Sequence, residues 1–389
     1  MIQIMILRLL TLMLFAAGAA NDLAGTRAHV RSAGVTLVRT PDGGIQPQAA
    51  VDAAGTVHML YFKGDPARGD LFYVRLPDGA ATFTPAIRVN SEPGSVIATG
   101  SVRGGQIALG RAGFVHVAWN ASQPIERDGM KQTPMWYTRL RPGGRAFDPQ
   151  RAIGSQTRHL DGGGSVAADD AGHVYVVWHA AGAIDGESNR RIYVASSADD
   201  GARFSREVPF GDADGLCGCC QLETLVDRRG QLNVLYRAAG ESIHRDAMWL
   251  RLDGGKSAGP VRLQAWELPA CPMTTFAMTR RGGVIVAAWE TQQQIYSAVL
   301  TPESRRVSAA SAMAGTAVRK HPSVAVNTAG DTLYAWTEGT AWARGGTVAW
   351  ELRDRAGARV ASASAAGEVP TWSLVAAVAR ADGSFLLIH

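Results

Sequence analysis

The stretches AAVDAAGTVHMLYF, IALGRAGFVHVAWN, SVAADDAGHVYVVWH, TLVDRRGQLNVLYR, FAMTRRGGVIVAAWE, SVAVNTAGDTLYAWT and VAAVARADGSFLLIH are seven versions of one pattern within 389 residues. Each runs a short apolar strand into a glycine turn and then an alternating strand, mostly closing on an aromatic residue. The turn glycines Gly55, Gly113, Gly172, Gly230, Gly282, Gly330 and Gly383 recur every 48 to 59 residues. A fixed period of this length marks a ring or stack of equal units, because one hairpin cannot bury its own apolar face.

Each of the first six hairpins is followed by a second, such as LFYVRLPDGAATFTPAIRVN, MWYTRLRPGGRAFDPQRAI and RIYVASSADDGARFSREVPF. Weaker versions span residues 248–263, 295–307 and 347–360. Four alternating strands per unit describe a propeller blade whose first strand lies nearest the axis. The seventh unit stops at His389 after two strands, and TRAHVRSAGVTLVRT near the N-terminus reads as two outer strands lacking an inner hairpin. The expected fold is an all-β, seven-bladed β-propeller whose last blade is closed by both chain ends, which removes free sheet edges. A six-bladed ring with a trailing hairpin is the alternative.

The opening residues MIQIMILRLLTLMLFAAGAA combine Arg8, an apolar run over 9–17 and a small A-x-A ending. That is the layout of a signal peptide over residues 1–20, leaving one propeller domain over 21–389. No later run approaches the roughly 18 apolar residues of a membrane span. The reading is an exported protein, periplasmic or extracellular, and a monomer. Net charge is +5 with the charges interspersed, so no basic stripe suggests nucleic acid.

The stretch SSADDGARF, with Ser197, Asp199, Gly201 and Phe204, matches S-x-D-x-G-x-x-[WF] and resembles the Asp-box of the sialidase-like BNR-repeat propellers. LPDGAATF and RPGGRAF look like altered copies. The C-x-C-C and later C-P segments also resemble those of secreted propellers grouped as sialidase-like. The resemblance implies a six-bladed, carbohydrate-active ring with an arginine triad gripping a carboxylate, a tyrosine nucleophile paired with glutamate and an aspartate acid/base. No Arg-Ile-Pro precedes the first blade, and neither triad nor tyrosine can be placed.

In an antiparallel hairpin, the end of the second strand and the start of the first lie on one rim. Aligned on the turn glycines, the residues after the strand-ending aromatics are Phe62, Asn120, His179, Arg237, Glu290 and Thr337, with Lys63 and Glu338 one step beyond. Facing them, ahead of the inner strands, stand Gln46, Arg103, Asp161, Cys219 with Cys220, Cys271, and residues 319–321 including His321. The expectation is a solvated polar ring around a funnel. Glu290, Arg237, Asp161 and His179 are the candidate catalytic groups, and Arg103, Asn120, Lys63, His321 and Glu338 the candidate ligand contacts. Trp119, Trp178, Trp289 and Trp336 face the other side of their strands and read as inter-blade core.

All four cysteines, Cys217, Cys219, Cys220 and Cys271, fall at equivalent offsets on blades four and five. Disulfides are one reading. A Cys219–Cys220 bond would be strained, so Cys271 pairs with Cys219 or Cys220, and the remaining two close a local loop. A thiolate site for Cu or Zn is the other reading, since soft sulfur suits both metals. Three functions follow. In the first, a glycoside hydrolase for anionic glycans uses Glu290 or Asp161 as acid/base and Arg237 or Arg103 as anion grip. In the second, the propeller binds carbohydrate or a partner protein at its mouth without catalysis. In the third, the thiols handle metal.

Overall fold

The computed structural model describes residues 31–389 apart from 33, 128, 157, 183, 211–214 and 254–255, so the signal-peptide reading lies outside the described residues. Six blades follow the chain in order. Their inner strands are Ile45–Val51, Gly105–Leu109, Ser165–Ala168, Glu223–Val226, Phe276–Arg281 and Arg319–Val326. Each pairs antiparallel with its successor, so the sheets grow outward from the axis. The seventh sheet orders Ala376–Ala379, Phe385–Ile388, Val35–Val38 and Arg31–Ser32, which makes the ring seven-bladed and sets aside the six-bladed alternative. A separate two-stranded ribbon, Ile125–Arg127 with Met130–Gln132, stands outside the blades.

Local chemistry explains why the hairpins repeat. All seven turn glycines have positive φ, from 63° at Gly282 to 92° at Gly172 and Gly330, a region that a Cβ makes costly. In three of these turns the aspartate three residues before the glycine ties down the backbone. Asp52 accepts from the N–H groups of Ala54 and Thr56, Asp169 from Ala171 and His173, and Asp227 from Arg229 and Gln231, at 2.9 to 3.1 Å. On the outer hairpin of blade three, Asp199 Oδ1 accepts from Arg203 N at 2.9 Å, and Ser197 Oγ from Gly201 N at 3.0 Å.

The second-strand tryptophans pack each blade onto the one before it, as their strand phase predicts. Trp119 lies with Leu60, Phe62 and Tyr73 of blade one, and Trp178 with Ala118 and Tyr137 of blade two. Trp289 lies with Leu235 and Trp249 of blade four, and Trp336 with Val286 and Ile295 of blade five. Truncating such a side chain to alanine typically costs about 3 to 5 kcal/mol.

At the seam, Val35–Val38 runs parallel to Phe385–Ile388, whereas the other blade pairings are antiparallel. Phe385 N donates to Gly34 O at 2.8 Å, His389 N to Val38 O at 3.0 Å and Thr40 N to His389 O at 2.8 Å. Both faces of this blade are apolar. Val35, Leu37, Phe385 and Leu387 meet Leu333 and Trp350 of blade six, while Leu386 and Ile388 meet Met59 and Tyr61 of blade one. No helix among the described residues is long and apolar enough to cross a membrane.

Candidate functional site

The polar positions ending the second strands do share one rim with the loops leading into the inner strands, and they join neighbouring blades. Asn120 Nδ2 donates to Gly162 O of the blade-three loop at 2.9 Å. His179 Nε2 lies 3.0 Å from Cys220 O of the blade-four loop. Arg237 donates to Arg245 O at 2.7 Å, to Thr274 Oγ1 of the blade-five loop at 3.3 Å, to Thr291 Oγ1 at 3.4 Å and to Glu290 O. Its guanidinium also lies 5.2 Å from the ring centres of Trp266 and of Phe276. Glu290 Oε2 receives Lys320 Nζ of blade six at 3.4 Å.

The solvated ring expected at these positions is therefore corrected. Asn120, His179 and Arg237 reach the next blade's loop, Glu290 reaches Lys320 on the next inner strand and His321 faces Thr275 of blade five, which leaves His179, Arg237 and Glu290 each 1% exposed and Asn120 and His321 3%. The varied residue types follow from the varied loops they meet. Thr337 differs, donating within its own blade to Lys320 O at 3.0 Å. Glu338 also turns inward, accepting from Arg319 Nε and Trp336 Nε1 at 3.1 Å each. Asp161 and Lys63 stay open to solvent. Arg103 pairs with the Asp161 carboxylate and donates to Asp161 O at 2.8 Å, while Lys63 lies 3.9 Å from Asp42.

Burial sets the charge states. It holds the His179 imidazole down to about 3, helped by the adjacent Arg190 charge, so the ring is neutral. With Nδ1 accepting from Arg190, Nε2 carries the proton and donates to Cys220 O. Burial raises the Glu290 carboxyl to about 7 against the opposing charges of Lys320 and Arg237.

The four sulfurs meet at the rim between blades three, four and five. Cys219 and Cys271 form a disulfide with Cα atoms 6.4 Å apart, and Cys217 and Cys220 are free thiols. The local-loop bond expected between these last two is thus not formed, although their Sγ atoms are 3.0 Å apart. The inter-blade bond spans 52 residues, for which chain entropy gives about 4 kcal/mol. Burial pushes the Cys220 thiol up, but contact with Cys217, the Arg237 charge and hydrogen bonds from Thr274 bring it down to about 6. The bond with Cys220, with burial added, pushes Cys217 up.

Other groups at the mouth lay outside the sequence reading. A pocket of about 370 Å³ is lined by Ser101, Met273, Lys320, His321, Trp342 and Trp372, beside Cys271. Ser101, Met273, His321 and Trp372 all have positive φ, 50° to 61°, without being glycine. Such conformations cost about 1 to 3 kcal/mol each and gather at functional sites. Trp342 is 58% exposed, and its ring centre lies 6.3 Å from that of Trp372 at 62°. On the axis, Glu223 shares a cavity of about 110 Å³ with Gln48, Thr275 and Ser323. Its carboxylate has no hydrogen bond or ion pair to any described residue, and burial raises it to about 8.

No protein-family model matches the chain, and no curated protein does either. Solved structures do resemble it. The NanB sialidase of Streptococcus pneumoniae superposes with TM-score 0.53 at 6% identity, covering 77% of this chain and 66% of that one. An α-L-arabinofuranosidase of Fusarium graminearum gives 0.53 at 13%, covering 80% and 93%. An α-L-arabinanase of Penicillium chrysogenum gives 0.50 at 13%, covering 80% and 94%. The chain thus spans just under two thirds of the sialidase. At these identities the likeness establishes the propeller fold, and function has to be argued from the site.

Proposed function

We propose that this chain is an exported, glycan-binding propeller, with a signal peptide over residues 1–20 and one ring over 21–389, acting as a monomer in the periplasm or outside the cell. The observation that carries the reading is the mouth pocket, where a left-handed backbone at four non-glycine residues presents Trp342 and Trp372 beside Lys320. An exposed indole gives a sugar ring an apolar face to stack on. Lys320 and Arg344 on the same rim suit a uronate or sulfate group. Support also comes from the fold shared with the sialidase and arabinan-degrading enzymes, and the disulfide fits an oxidising compartment.

A second reading is hydrolysis of such a glycan. It is favoured by Glu290, whose carboxyl near 7 holds the proton a general acid must deliver. In it Asp161 supplies the other carboxylate, Arg103 grips the anionic group and Lys63 contacts the ligand at the rim, while the buried Arg237, His179, Asn120 and His321 and the inward-turned Glu338 hold the loops behind them. Binding of uronic, sulfated and neutral oligosaccharides to the purified protein, by calorimetry, tests both. Trp342→Ala should weaken binding of the preferred glycan at least about tenfold, or 1.4 kcal/mol, with an unchanged melting curve. Unaltered affinity in Trp342→Ala, or no affinity for any glycan class, counts against the site. Turnover that disappears in Glu290→Gln while binding survives favours the second reading.

A further inference from the structure

Cys217 and Cys220 stand at C-x-x-C spacing with their sulfurs 3.0 Å apart, and Cys217 Sγ is also 3.5 Å from Cys219 Sγ, one half of the formed disulfide. Three of the four sulfurs are buried, while Cys271 is exposed at the mouth. A buried dithiol therefore touches a disulfide whose far end is reachable from outside. The turn that carries it is held on both sides. Glu187 Oε1 accepts from Gly218 N at 2.8 Å, and its Oε2 pairs with buried Arg245 at 2.8 Å.

We infer that the four cysteines form a thiol–disulfide exchange site, in which the buried pair Cys217 and Cys220 passes two electrons to the Cys219–Cys271 bond and Cys271 meets a thiol- or disulfide-bearing partner at the mouth. The exchange balances without an outside oxidant. Starting from a Cys220 thiolate, Cys217 gives its proton to Cys220, and the sulfur lone pair it exposes attacks Cys219 Sγ. A Cys217–Cys219 bond forms, the Cys219–Cys271 bond breaks, and Cys271 leaves as a thiolate at the surface. Cys220 then attacks Cys217, forming Cys217–Cys220 and breaking Cys217–Cys219, and its proton passes to the departing Cys219 sulfur. One disulfide has replaced another, and the negative charge has moved from buried Cys220 to exposed Cys271.

The arrangement suits exchange better than metal capture. Two of the sulfurs are joined to each other, and both oxygens of Glu187, the carboxylate within reach of Cys217 and Cys271, are already engaged. The exchange also explains the chemistry gathered around Cys220. A thiolate there is served by the nearby Arg237 and by hydrogen bonds from Thr274 N at 3.5 Å and Oγ1 at 3.4 Å.

The test uses full-length protein exported to a bacterial periplasm, purified without reductant, and treated in its native state with iodoacetamide before acid quenching and peptide mapping. Cys271 is bonded in the structure, so it can react only after the internal exchange. Wild type should take up label at Cys271 as a Cys217–Cys220 disulfide appears. Cys217→Ser should remove that labelling and retain Cys219–Cys271, while Cys220→Ser, which lacks the acceptor for the Cys217 proton, should label Cys271 far more slowly, with any new bond being Cys217–Cys219. Circular dichroism establishes that each variant is folded, and either variant alone suffices to test the route. Four results would overturn the inference: a Cys271 that stays unlabelled while Cys217 and Cys220 remain thiols; equal labelling in wild type and Cys217→Ser; two completed disulfides at purification; or one metal ion per chain held by the thiols.

Discussion

The ring is fastened in two places by different chemistry. At the seam, Val35–Val38 lies along Phe385–Ile388 in a parallel backbone ladder, and the side chains on both faces are apolar. At the junction of blades four and five, the fastening is made by side chains, the Cys219–Cys271 bond and the Arg237 guanidinium, and the Glu290–Lys320 pair continues it between blades five and six. Backbone and apolar fastening depends on period and phase alone, so any β-branched or large apolar residues in step would serve. Side-chain fastening depends on which loop stands opposite, and it brings titratable and oxidisable groups under cover. The seam should therefore be the stronger tie, and the junction the one that responds to its surroundings.

Removing residues 375–389 is the severest test of that contrast. It deletes Ala376–Ala379 and Phe385–Ile388, leaving Val35–Val38 without a partner and the apolar faces of blades six and one open. The truncated chain should lose its cooperative melting transition by circular dichroism and aggregate in size-exclusion chromatography. A monomer with an unchanged melting curve would show that the seam does not close the ring.

At the junction, Arg237→Ala should cost about 3 to 5 kcal/mol in denaturant unfolding. It strips donors from the buried carbonyls of Arg245 and Glu290 and empties the space between Trp266 and Phe276. A solvated Arg237 would have predicted almost no change. A loss below about 1 kcal/mol would return the residue to the surface role that its sequence position suggested.

These two ties were not equally legible in the sequence. Seven glycines at one offset, and tryptophans one residue before the rim, give strand phase and favour seven blades over six, because each of those depends on local backbone and period, and the seam pairing then decides the number. The same alignment located Asn120, His179, Arg237 and Glu290 on one rim and set the cysteine segments side by side. It could not give their burial, since that depends on how far the next blade's loop folds over, a distance no period encodes. Trp342 and Trp372 lie in loops without a repeat phase and left no such signal. Glu223 did leave one: seven residues before its turn glycine it occupies the position of Gln48, Gln106, Ser165, Thr275, Ser323 and Ala376, as the only ionisable member of the set.

Glu223 gives the smallest and sharpest comparison, because it puts a titratable group on the axis beside blade four, while the seam ladder contains none. Its carboxyl titrates near 4.5 when unfolded and near 8 when folded, owing to burial. The unfolded chain therefore releases this proton first, and the group destabilises the fold progressively as pH rises between those two values. Below 4.5 it costs nothing, and above 8 the full penalty applies. A tenfold difference in proton affinity between the two states is worth about 1.4 kcal/mol, but the carboxylate is partly exposed to the axial cavity, and water there should reduce the penalty to roughly 1 to 2 kcal/mol. Glu223→Gln keeps the shape and removes the charge, so it should match wild type in urea unfolding at pH 4 and exceed it by that margin at pH 8.5. Equal stability of the two proteins across the whole range would mean that the carboxylate is as well solvated folded as unfolded, and that the axis carries none of the pH response assigned to it.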